Sequence, residues 1–169
     1  MSLKEIKDVS YFKLNNEINR PVDGQIPLNK DKEALAAFFK ENVEPNTLTF
    51  ATAMDKINYL IENDYLEEEF IKKYRPAFIE QLYQFLDEQH FTFKSFMAAY
   101  KFYSQYALKT NDGTAYLERY EDRVAFNALY FADGNEELAM SLADEMIYQR
   151  YQPATPVSYT HLTLPTNSR

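Results

Sequence analysis

The chain has 169 residues, with 26 Asp plus Glu against 18 Lys plus Arg for a net charge of −8; it holds no Cys, no Trp and 3 Gly beside 13 Phe and 14 Tyr. Without cysteine there is no disulfide framework, thiolate nucleophile or Cys-based metal centre, and two histidines 71 positions apart make no His-rich one. The acid excess disfavours nucleic acid and anionic lipid as partners. The length suits one domain, and no apolar run nears the ~20 residues of a membrane span. The N-terminus MSLKEIKDVSY lacks a signal-peptide core, so the expected setting is cytoplasmic.

Residues 1–30 read as an N-terminal arm. Within it, Val22 to Leu28 is the only strand-like stretch, able to form a short hairpin around Asp23-Gly24. From Asp31 to Val43 the apolar residues Ala34, Leu35, Phe38 and Phe39 fall on one helical face. Asn29 or Asp31 can cap its start, and Pro45 forbids continuation past Glu44. Phe50, Met54, Ile57 and Ile61 mark a second helix, and Glu67 to Tyr74 a short third one. Pro76 suits the first turn of a fourth, whose stripe is Phe78, Ile79, Leu82, Tyr83 and Leu86. Phe96, Tyr100, Tyr103 and Ala107 predict a fifth, ended by Asn111-Asp112-Gly113. Val124, Ala128, Leu129 and Phe131 predict a sixth, closed by Asp133-Gly134. Leu138, Leu142 and Met146 with Ala139, Ala143 and Ile147 predict a seventh. The expected fold is all-α, with about seven helices and the helical domain spanning residues 31–150.

The end of the chain departs from this pattern. Residues 1–150 carry all 26 acids and 17 of the bases, a net of −9, whereas 151–169 hold no acid, one Arg and three of the seven prolines. VSYTHLTLPTNSR, residues 157–169, has no amphipathic face. It reads as a disordered tail or, preferably, as a non-native adapter-like tail outside the fold.

Chemistry-bearing constellations are absent from the rest. The three glycines are scattered, so no loop cradles a phosphate, and neither a Ser-His-Asp order nor a Cys-His pair can be built. His90, after Glu88-Gln89 at a helix end, suits capping of terminal carbonyls more than catalysis. Glu67, Glu68 and Glu69 are consecutive, so on a helix they fan out rather than converge on one ion. In Glu118-Arg119-Tyr120-Glu121-Asp122-Arg123, rows of like charge call for opposite charges from neighbouring helices, a structural network. The aromatic set Phe96, Tyr100, Phe102, Tyr103 and Tyr106 reads as core or subunit interface rather than a base-stacking platform. No residue is expected to hold a metal.

Longer words go further. FMAAYKFYSQYALKTND (96–112), YLERYEDRVAFNALYFADG (116–134) and YQPATP (151–156) resemble the large subunit of ribonucleotide reductase, most nearly the bacterial class Ib ribonucleoside-diphosphate reductase alpha chain. LNNEI (14–18), Asp23-Gly24, DKEA (31–34) and YLIEND (59–64) also look like that family's N-terminus, so the resemblance covers roughly residues 10–156. It implies an oxidoreductase of deoxyribonucleotide biosynthesis that reduces ribonucleoside diphosphates in an α/β barrel, with a thiyl radical and a redox cysteine pair. It also implies a large-subunit homodimer, a small subunit with a dimetal centre and tyrosyl radical, and a thioredoxin- or glutaredoxin-like reductant.

This chain resembles only the helical domain ahead of that barrel. Residues 151–156 look like the start of the segment leading into the barrel, and the family cysteines are missing. The expectation is therefore a catalytically incomplete N-terminal part without a cofactor of its own and inactive alone. Thr155 matches a family threonine that contacts the substrate near its diphosphate, and Pro153 and Pro156 would preset its backbone; in the isolated fragment it reads as a plain loop residue. The start resembles the shortened N-terminus of class Ib, whose parent subunit takes ATP or dNTP effectors; a residual adenine-nucleotide site in residues 10–60 would use Lys30, Lys32 and Lys40 as phosphate partners, whereas exposed lysines on an acidic helix more often just solvate it. The alternative function is a free-standing acidic helical protein-interaction module, which should end in a capped helix or polar tail. Downstream genomic sequence past Pro156 discriminates the two.

Overall fold

The computed structural model describes residues 10–18, 22–25 and 28–153. Eight α-helices form among them, and no strand. The chain is divided between two compact units, each assembled from segments distant in sequence: residues up to 48 with 92–117, and 49–91 with residues from 118 onward.

The first unit holds α1 (Ser10–Ile18), α2 (Leu28–Phe38) and α6 (Phe96–Lys101). The arm expected over 1–30 therefore contains a helix. Its polar run Asn15-Asn16-Glu17 hides it from periodicity, and α1 is held because Tyr11 buries itself 5.1 Å from Phe38 and 5.9 Å from Phe96, ring to ring. Neither of the two helices expected over 31–43 and 96–107 is uniform. Each widens into a π turn, Phe39–Val43 and Phe102–Tyr106. Both turns begin at adjacent aromatics, Phe38-Phe39 and Phe102-Tyr103. At 3.6 residues per turn neighbours diverge by about 100°, and the wider turn helps both rings of a pair reach one core. Phe39 and Tyr103 accordingly meet edge to face at 5.6 Å. Asp31 does cap a helix, but it is α6: its carboxylate accepts the Phe96 N–H at 3.2 Å, beside the Ser95 hydroxyl that accepts from Ala98.

The expected hairpin over 22–28 reduces to one bridge, Val22 with Gln25, each N–H 3.0 Å from the other's carbonyl around Asp23-Gly24. Residues 26–27 lie outside the described set. An irregular connection after α6 replaces a simple turn: Leu48 N–H reaches the Tyr116 carbonyl at 3.0 Å and Leu117 N–H the Leu108 carbonyl at 2.8 Å.

The second unit holds α3 (Ala53–Glu62), α4 (Glu68–Ile71), α5 (Pro76–Glu88), α7 (Tyr120–Ala132) and α8 (Glu136–Ile147). Helix α3 starts at its Thr52 cap rather than at Phe50, and the Glu80 carboxylate of α5 accepts from Met54 N–H at 2.9 Å. The expected third helix is a single turn, with Glu67, Glu68 and Glu69 all exposed as their fan-out requires. Pro76 opens α5, whose whole stripe from Phe78 to Leu86 is buried.

Helix α7 is the axis of this unit: every residue from Asp122 to Leu129 is buried. Ala125, Ala128 and Ala132 on α7, with Ala139 and Ala143 on α8, leave room for close packing of the two helices. The predicted α8 stripe is corrected at Leu138, which is 43% exposed; Ala139, Ala143, Met146 and Ile147 make the inner face instead.

Candidate functional site

The charged hexapeptide at the head of α7 becomes a buried ionic knot. Glu118 precedes the helix rather than lying on it, and Arg119 is the N-cap. Asp122, fully buried, reaches back to accept the Arg119 N–H at 2.6 Å, and the same Oδ2 takes Lys56 Nζ from α3 at 2.5 Å. Arg123 Nη2 donates to Glu118 Oε2 at 2.6 Å, while its Nε lies 2.6 Å from Oε1 as a charge contact rather than an aligned hydrogen bond. Arg119 Nη2 donates to Asp87 of α5 at 2.9 Å. Burial works against the Arg119 cation, but the carboxylates of Asp122, Glu121 and Asp87 outweigh it and hold the guanidinium above its ordinary range.

The expected structural network is therefore present, with α3 and α5 supplying the opposite charges. Tyr83 projects from α5 into the same region; its buried hydroxyl has no hydrogen-bond partner among the described residues, and burial followed by Asp122 and Glu118 pushes the phenol well up. The knot joins three helices and leaves its charges engaged with one another.

A second cluster gathers where α8 ends. Tyr120, the first residue of α7, stacks on Phe91 at 4.1 Å and 21°. Side-chain amides of Gln149 and Gln152 hydrogen-bond its phenol oxygen; burial dominates and raises the phenol above its ordinary value. Tyr148 Oη donates to Gln89 Oε1 at 2.5 Å, and Arg150 Nε to Glu145 Oε2 at 2.9 Å. Sequence reasoning missed Tyr120 and Gln152 here, since nothing local ties an aromatic on α7 to an amide beyond α8. An open groove also runs between α5 and α8, over Phe78, Phe85 and Met140, with Arg75 and Glu136 paired at its rim.

Of the residues singled out in the sequence, Thr155 lies outside the described residues. Lys30 donates to Glu33 Oε2 at 2.9 Å and lies 4.0 Å from Glu17; Lys32 and Lys40 are exposed. Positions 30 and 32 share α2 but, two apart, face different sides of it, so Lys30 and Lys32 do not share one face. His90 sits exposed at φ 48°, just past α5, with its backbone N–H on the Asp87 carbonyl at 3.2 Å. Among the described residues no three His, Asp or Glu side chains gather as a metal site, and no helix is long and apolar enough to cross a membrane.

Comparison with known proteins places this geometry. Two family models match in tandem: "Ribonucleotide reductase N-terminal" over residues 11–91 and "Ribonucleotide reductase, all-alpha domain" over residues 92–160. The ribonucleoside-diphosphate reductase NrdEB subunit alpha of Bacillus subtilis is 50% identical over 147 residues, 87% of this chain and 14% of that protein. The same organism's ribonucleoside-diphosphate reductase subunit alpha is 45% identical over 86% of this chain and 21% of its own length. That of Mycoplasma pneumoniae is 41% identical over 75% of this chain and 18% of its own length. The chain belongs to the ribonucleotide reductase large-subunit family. It spans between 14% and 21% of the length of these relatives.

Proposed function

We propose that this chain serves as the N-terminal helical part of a class Ib ribonucleoside-diphosphate reductase alpha subunit, scaffolding and positioning rather than reacting. The observation that carries the reading is the tandem match over residues 11–160 to the two helical family models, on a chain that folds as helices and holds no cysteine. In this reading the whole subunit forms a homodimer that reduces ribonucleoside diphosphates to deoxyribonucleotides in the cytoplasm. It works with a radical-bearing small subunit and a thioredoxin- or glutaredoxin-like reductant.

The described residues do not fit a dimetal centre, because no metal-ligand cluster exists among them. That centre belongs to the separate small subunit, where it would supply the radical that starts the reaction. What this chain offers is order. The α7 knot fixes three helices against one another, and Thr155, outside the described residues, is the hydroxyl that the family resemblance would set near the substrate diphosphate. Lys30, Lys32 and Lys40 stay the candidate phosphate partners of an adenine-nucleotide effector, with Lys30 also paired to Glu33 and near Glu17.

The test is a reconstitution. The 169-residue chain, mixed with the small subunit, a dithiol reductant and a ribonucleoside diphosphate, should form no deoxyribonucleotide, whereas a full-length subunit beginning with residues 1–156 should. Turnover by the short chain would overturn the scaffolding role. No turnover by the full-length subunit would overturn the reductase reading.

A further inference from the structure

We propose that Asp23 is a site of spontaneous isoaspartate formation, the one Asp-Gly pair of three that the fold leaves open to that reaction. Every glycine of the chain follows an aspartate, in Asp23-Gly24, Asp112-Gly113 and Asp133-Gly134. The modification needs only the chain and water, whatever the parent subunit does.

The glycine backbone nitrogen attacks the aspartate Cγ and forms an N–Cγ bond. The carboxyl hydroxyl leaves with the amide proton as water, closing a five-membered succinimide. A water molecule then opens the ring on one of its two sides. Cleavage of the N–Cγ bond restores the aspartate. Cleavage of the bond to the main-chain carbonyl carbon leaves the chain running through Cβ and Cγ, with a free α-carboxylate. Glycine favours the attack because it has no Cβ to crowd its nitrogen and takes the backbone angles that ring closure demands. An N–H held in a hydrogen bond is less able to react, and a carboxylate held ionised by donors gives up its oxygen less readily.

The structure separates the three pairs on these two points. Val22 and Gln25 exchange the bonds that close the first turn, each 3.0 Å, and the central pair takes no part in them. Neither the Gly24 N–H nor the Asp23 carboxylate has a hydrogen-bond partner among the described residues. Both residues are exposed, and a Cβ added at Gly24 would meet nothing within 4 Å.

The other two pairs are shut by different groups. Gly113 N–H donates to the Thr110 carbonyl at 2.7 Å. Asp112 Oδ1 accepts from Thr110 Oγ1 at 2.6 Å, Thr114 N–H at 3.1 Å and Thr114 Oγ1 at 2.8 Å. These donors, the Thr110 hydroxyl first, hold the Asp112 carboxyl below its ordinary range. Gly134 N–H donates to the Tyr74 hydroxyl at 2.8 Å, and the Asp133 carboxylate is paired with Lys73. An isoaspartate at 23 would add one backbone atom inside a two-residue turn, so the Val22–Gln25 bridge would lose its register.

The experiment ages the 169-residue chain at neutral pH and physiological temperature, with and without guanidinium. Isoaspartate is mapped to each site by peptide chromatography with mass spectrometry. Its total is read by methyl transfer from S-adenosylmethionine with an isoaspartyl methyltransferase. In the native chain Asp23 should convert at least about tenfold faster than Asp112 or Asp133, where several hydrogen bonds must open first. In guanidinium the three rates should come within about threefold of one another, because only the shared Asp-Gly pair then counts. Asp23→Glu, which would have to close a less favourable six-membered ring, should remove most of the methyl-accepting signal of the native chain.

Equal native rates at the three sites, or a faster one at 112 or 133, would overturn the assignment. So would a native rate at Asp23 more than about tenfold below its rate in guanidinium, since the turn would then shield the pair. Hydrogen exchange reads the consequence: the Val22 and Gln25 amides should exchange faster in the modified fraction, and unchanged exchange there would mean that the bridge survives the added atom.

Discussion

Lys56 Nζ lies 2.5 Å from Asp122 Oδ2, with the lysine only 6% and the aspartate 0% exposed, across 66 positions of sequence. A buried pair is weak evidence of stability in itself, because each charge gives up its hydration. Its consequence is asymmetric: either partner left alone is a buried, uncompensated charge. Lys56→Ala should therefore cost about 3–5 kcal/mol, measured by denaturant unfolding. Asp122→Asn should also be strongly destabilising, since it leaves Lys56 unpaired and weakens the acceptor for the Arg119 N–H. Midpoints for both variants within about 0.5 kcal/mol of wild type would mean that the pair is hydrated in solution.

A buried tyrosine holds the end of α7. Buried Tyr74 donates its hydroxyl to the Leu129 carbonyl at 2.6 Å and accepts the Gly134 N–H at 2.8 Å. Tyr74→Phe should cost roughly 1–3 kcal/mol, the sum of about two hydrogen bonds, seen as a lower Tm. Gly134→Ala should also destabilise: φ there is +92°, and an added Cβ would come 3.3 Å from Lys73 Cβ. Equal Tm for Tyr74→Phe and wild type would show that the cap forms without it.

Two leucines that look alike in the sequence should behave differently. Leu82 is completely buried on α5, so Leu82→Ala should cost about 2–5 kcal/mol; Leu138, 43% exposed on α8, should cost no more than ~0.5 kcal/mol as Leu138→Ala. Chemical unfolding of the pair separates them, and similar losses would mean that α8 packs on a different face.

Glu121 gives a pH signature. Burial disfavours its charged form and raises its pKa above the ordinary 4.5, with Arg119 opposing. A carboxyl raised in the folded state adds stability below its unfolded pKa and loses it as pH climbs through the folded value. Glu121→Gln should therefore stabilise the protein at pH 7, with the gain vanishing below about pH 4, where both states are protonated anyway. Unfolding midpoints at the two pH values test this, and an equal gain at both would assign the effect to something other than charge.

Much of the second unit was legible in the sequence. Pro76 with the stripe from Phe78 to Leu86 announces α5, and Asp133-Gly134 announces the end of α7, where both residues take positive φ. The charge rows around Glu118 to Arg123 announced a network without naming its partners. The first unit was harder. Helix α1 has the polar Asn15-Asn16-Glu17 run and is held by the rings of Phe38 and Phe96, residues that no local window connects to it. The two π turns were invisible because the sequence around them keeps a helical pattern until adjacent aromatics must reach the same core.

The sequence by itself determined that this chain is helical, acidic and free of cysteine, because period, charge and residue type are local properties of the chain. Its long words also determined the family. Only the tertiary structure decided which segments pair. The two compact units cut across the two family-model matches, each unit drawing on both sides of the 91–92 boundary. Tyr120 could acquire Gln149 and Gln152, and Asp122 could acquire Lys56, only through that folding. Hydrogen bonds and ion pairs act over a few ångströms of space and take no account of distance along the chain.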